Sequence, residues 1–137
     1  MRAVLPVTWE TIRLFLHVGA ATIWVGGQFT LAGLVPGLRA LSPDAPRAAA
    51  RRFNRIAWPA YFVLIATGIW NVLAIHDLSM TSAWGRTMMV KVVVAILSGV
   101  AAFLHTIARS KVGLAVWGAV ASLTAVAALF LGILLAG

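Results

Sequence analysis

The chain has 137 residues, 62% of them hydrophobic and only 10% charged, with a mean hydropathy of +0.99. A soluble domain carries about 25% charged residues, so this composition excludes a water-faced globule and fits one domain, residues 1–137, living in lipid. The absence of cysteine excludes disulfides and thiolate metal sites. The net charge of +8 falls mainly between apolar runs, where membrane orientation accounts for it better than nucleic acid does.

About 20 apolar residues cross a bilayer as a helix, and four segments qualify: 11–36, 56–76, 86–108 and 112–136. The first apolar run, from Leu14 to about Val35, is too long for the core of a signal peptide and reads as a retained helix. Pro36-Gly37 is expected to close it. Residues 45–55, within "APRAAARRFNRIAWPA", read as a basic helix lying at the interface, and Pro59 as a kink in the second span. His76 to Trp84 and Ser110 to Val112 are short loops, so the predicted architecture is an all-α, integral membrane four-helix up-down-up-down bundle. Arg39, Arg47, Arg51, Arg52 and Arg55 lie in the first connection, and Arg109 and Lys111 in the third. Arg2, Arg13, Arg86 and Lys91 belong to the other side. Seven against four predicts both termini outside. Arg47, Arg51, Arg52 and Arg55 are expected to meet anionic lipid head groups. Trp9, Trp58, Trp84 and Trp117 fit an interfacial aromatic belt.

Helical spacing divides the first span into two faces. Arg13, His17, Ala21, Trp24 and Gln28 form a polar-aromatic stripe, while Gly19, Gly26 and Gly33 form a smooth ridge suited to close packing, within the bundle or in a homo-oligomer. Ala60, Leu64, Thr67 and Asn71 align on the second span. Thr87, Lys91, Ala95, Ser98, Ala102, His105 and Arg109 align on the third, and the fourth adds only Ser122 and Thr124. Ionisable groups in a membrane face the interior or a cavity, so these stripes are expected to converge on His17 and Lys91 near the outer leaflet. His105 belongs near the opposite end and reads as structural.

"LHVGAATIWVGG" resembles the first helix of the copper-resistance protein D (CopD-like) membrane domain, through His17, Trp24, Gly26 and Gly27. "WGRTMMVKVVVAIL" is similar to that family's third helix, through Gly85, Arg86 and Lys91, and "RRFNRIAWPAYFVLIATGIW" to its second. The likeness covers roughly residues 13 to 109. It implies a multi-pass protein of a bacterial-type inner (plasma) membrane that handles or transports copper. The same His and Lys also resemble the related four-helix protoporphyrinogen oxidase of bacterial haem synthesis, which implies haem with the first-helix His as ligand. The run "LAGLVPGLRALSP" departs from that oxidase's Tyr-His ending.

Two cofactors stay open on the residues. Copper suits Met and imidazole, and His17, His76, Met80, Met88 and Met89 all lie toward the outer end, although adjacent Met88 and Met89 cannot both point inward. Haem b needs an imidazole, small neighbours and cations for its propionates. His17 is then the ligand, Arg13 and Lys91 are the cations, and Trp24 and Asn71 are further contacts. His76, Met88 and Met89 are candidates for a second axial ligand. A third class is a structural subunit without a cofactor. Glu10, Asp44 and Asp77 flank the spans and form no acid–base pair, which disfavours hydrolysis and leaves enzymatic activity undecided.

Overall fold

The computed structural model describes residues 4–137; Arg2, counted toward the outer charge, lies outside them. Helices make up nearly all of the described residues, and no strand occurs among them. Thr8 opens helix α1 (Trp9–Ala21) through a reciprocal capping box with Thr11. A π-turn (Thr22–Gly26) follows and leads directly into α2 (Gly27–Leu41). Pro46 sits in the first turn of α3 (Ala45–Leu73), where its missing N–H costs nothing. Ser82 and Ser110 cap α4 (Ala83–Ile107) and α5 (Lys111–Ala136) through their hydroxyls.

Four helices are thus long and apolar enough to cross a membrane: Trp9–Leu41, Ala45–Leu73, Ala83–Ile107 and Lys111–Ala136. Their outer surface carries Phe15, Leu123, Phe130 and Ile133, each more than half exposed. That surface suits hydrocarbon and would be costly in water.

Several boundaries differ from expectation. The first span does not end at Pro36-Gly37 but runs through Pro36 to Leu41. Residues 45–55 do not form a separate helix; they are the opening turns of α3, which continues unbroken through Pro59. At 1.5 Å per residue the 29-residue α3 is about 43 Å long, against about 30 Å of hydrocarbon. Its exposed Arg47, Arg51, Arg52 and Arg55 lie along its first three turns.

Packing is in two pairs, the first span on α3 and α4 on α5. Along α4, the partners on α5 fall in reverse order: Trp84 with Leu135, Lys91 with Gly132, Ser98 with Ala121, and His105 with Leu114. Along the first span they also reverse, from His17 with Thr67 to Trp24 with Tyr61 to Gly27 with Phe53. Small residues dominate the interior: Ala20, Ala57, Ala60, Ala101, Ala121 and Ala125 are buried. Such residues let membrane helices approach closely.

One polar layer ties all four spans together. The Trp24 indole N–H donates to the Ser98 hydroxyl (3.0 Å), which donates to the Ala121 carbonyl (2.9 Å). From α3, the Tyr61 hydroxyl donates to the Ala95 carbonyl (3.0 Å), and a Cβ on Gly99 would overlap the tyrosine ring. The Trp24 and Tyr61 rings lie 4.5 Å apart, with Trp58 set edge-on 5.4 Å from Trp24. Trp58 is half-buried and packs against this core.

Candidate functional site

His17 sits one helical turn before the π-turn, half-buried against α3. Its Nδ1 lies 2.9 Å from the Thr67 hydroxyl. That hydroxyl has one proton, and it points at its own helix, 2.7 Å from the Val63 carbonyl and 3.2 Å from that of Leu64. The imidazole must then donate through Nδ1–H, which leaves Nε2 with a lone pair. This is the arrangement in which an imidazole ligates a metal, its other nitrogen fixed by a neighbour. Gly68 lies beside the ring; an added Cβ there would make an ordinary contact, 3.6 Å from the His17 ring carbon.

Lys91 approaches from α4. It is half-buried, and its ammonium lies beside Gly132 of α5. Arg13 and Asn71 lie one turn from His17 and Thr67 on the same faces. Arg13 is half-buried with its side chain 15% exposed, and its terminal nitrogen is 4.0 Å from Glu10, the one ion pair among the described residues. Arg13 Nε and Asn71 Oδ1 are buried without hydrogen-bond partners. Arg13 and His17 thus share one face of α1 in an apolar chain, with only the exposed Glu10 carboxylate in reach of Arg13. Two open grooves lie elsewhere. One of about 190 Å³ is lined by Phe15, Gly19, Ile23 and Val63, and one of about 340 Å³ by Arg86, Val90, Leu131 and Leu134.

The other candidates separate. His76 and Met80 are exposed in the 74–82 loop, Met88 is buried in α4, and Met89 is half-buried. No group of three or more His, Asp or Glu side chains is placed to hold a metal among the described residues. Trp24 is buried in the aromatic core, its N–H committed to Ser98. His105 donates to the Leu114 carbonyl (2.8 Å) and packs over Gly118. Gly19, Gly26 and Gly33 do not pack within the chain; a Cβ on any of them would meet nothing within 4 Å. Past the π-turn it is Gly27 that faces α3, against the Phe53 ring.

Tyr61, the chain's single tyrosine, was not among the expected site residues; its one signal is a helix face shared with Ala57 and Leu64. The π-turn was not expected either, and the Gly26-Gly27 pair is its only local signal. Within that turn the Trp24 carbonyl accepts the Gln28 side-chain amide (3.0 Å), and Ser122 donates to Gln28 Oε1 (3.3 Å). No family model, curated protein or solved structure matches the chain.

Proposed function

We propose that the chain is a four-span protein of a bacterial-type plasma membrane that binds haem b through His17. In this reading the bundle runs up-down-up-down with both termini outside. Arg47, Arg51, Arg52 and Arg55 meet anionic head groups on the cytoplasmic side, and the Gly19, Gly26 and Gly33 face is left for a second copy. The single observation that supports haem is a half-buried imidazole with its Nδ1 bound to Thr67 and its Nε2 left with a lone pair, one helical turn from an Arg13 Nε and an Asn71 Oδ1 that are buried without hydrogen-bond partners. Intramembrane ionisable groups are costly and are kept where they serve a site. An iron porphyrin with two carboxylates answers both needs at once, because His17 supplies the axial nitrogen while Lys91 and Arg13 balance the anionic arms. Gly68 and Gly132 let the His17 ring and the Lys91 side chain lie close against α3 and α5. Bound there, haem supplies a one-electron iron couple, which supports a role in electron transfer or oxidation within the membrane. Bare copper is served less well: its proposed donors are dispersed and the neighbouring cations repel it.

Haemin titrated into detergent-purified protein tests this by absorption, oxidised and reduced. The expected result is a Soret band that His17→Ala abolishes and that His76→Ala and Met80→Leu leave in place. A band indifferent to His17→Ala, or none at all, overturns the haem assignment. A colourless protein that carries copper and loses it in Met88→Leu assigns the site to copper instead.

A further inference from the structure

Arg13 Nε and Asn71 Oδ1 are buried polar atoms with no partner in the chain. Arg13 precedes His17 by four residues, and Asn71 follows Thr67 by four. Because the His17–Thr67 hydrogen bond fixes the alignment of α1 on α3, Arg13 and Asn71 stand level with each other one turn further along. They do not bond to each other. A buried group left unmade is costly, more so when charged, and Glu10, 72% exposed, reaches only a terminal nitrogen of Arg13. A half-turn of the Asn71 amide presents its NH2 in place of its oxygen. The pair then offers two N–H donors, one of them cationic, about 6 Å along the helix from His17.

We propose that Arg13 and Asn71 form the seat of one carboxylate of the ligand held by His17. Arg13 Nε–H donates to one oxygen and the Asn71 amide to the other, so that the ligand is oriented as well as bound. The proposal rests on His17 being the ligating residue. A planar, two-oxygen anion fits single donors from two facing helices, and charge-assisted bonds of this kind are the strong ones.

The test compares haemin with haemin dimethyl ester, whose two carboxylates are blocked, by Soret titration of the full chain in detergent. The natural protein is expected to bind haemin at least about tenfold more tightly than the ester, the scale of one charge-assisted hydrogen bond. Arg13→Gln and Asn71→Leu should each weaken haemin binding while leaving ester binding within about twofold, so the preference shrinks to what Lys91 contributes at the other carboxylate; retained ester binding also certifies that each variant is folded. A preference undiminished in both variants places the carboxylate elsewhere and overturns the proposal. Equal binding of the two porphyrins by the natural protein overturns it too, leaving a water molecule between the pair. Failure of the natural protein to bind either porphyrin instead removes the His17 assignment on which the seat depends.

Discussion

Replacing Ser98 with alanine is the sharpest perturbation of the polar layer. Ser98 is 1% exposed, accepts from the Trp24 indole at 3.0 Å and donates to the Ala121 carbonyl at 2.9 Å. Ser98→Ala removes both bonds without adding volume. Hydrogen bonds between membrane helices average about 0.6 kcal/mol and reach about 1.7 kcal/mol, so two give roughly 1 to 3 kcal/mol. The upper half of that range applies here. Trp24 is wedged between Tyr61 at 4.5 Å and Trp58 at 5.4 Å, so its N–H cannot swing to another acceptor. We expect a loss of about 2 kcal/mol, measured by circular dichroism during unfolding in mixed detergent micelles. Trp24→Phe removes the same bond from the other side, so the double variant should lose about 1 kcal/mol less than the sum of the singles. A loss below about 0.5 kcal/mol, or strict additivity, would refute the view that this hydroxyl clamps the spans together.

Gly99→Ala should destabilise by about 1–3 kcal/mol through overlap with the Tyr61 ring. The same change at Gly37, which meets nothing, should be neutral or stabilise by up to about 1 kcal/mol; thermal unfolding of the two variants side by side gives the contrast. Thr67→Val should lower haemin affinity about 10- to 100-fold by freeing the His17 ring. Thr124→Val, whose hydroxyl bonds only to carbonyls of its own helix, should leave affinity unchanged in the same titration.

The four spans were legible because hydropathy over 20 residues is a sum, insensitive to local detail. The inward face of the first span was legible too: at helical spacing Arg13, His17, Trp24 and Gln28 could not all face hydrocarbon. What the sequence concealed depends on registers between helices. His17 meets Thr67 only because α1 and α3 slide to one particular alignment. Tyr61 and Ser98 bind backbone carbonyls of Ala95 and Ala121, which no side-chain pattern announces. The choice of Gly27 over Gly26 as the close-packed glycine follows from the π-turn, a change in hydrogen-bond spacing with no hydropathy signature. The continuation of the helix through Pro36 and Pro59 overrode a local rule, since proline bars a hydrogen bond without always ending a helix.

The widened turn at Thr22–Gly26 also sets the phase of everything before it. Each residue of an α-helix is worth about 100° of rotation, so excising one residue there would swing the thirteen-residue α1 arm by nearly a third of a circle while α2 stayed seated. Arg13 and His17 would be dialled away from Thr67 and Asn71 together, although neither had been altered. In that sense the site is written partly in the length of the chain rather than in the chemistry of its side chains.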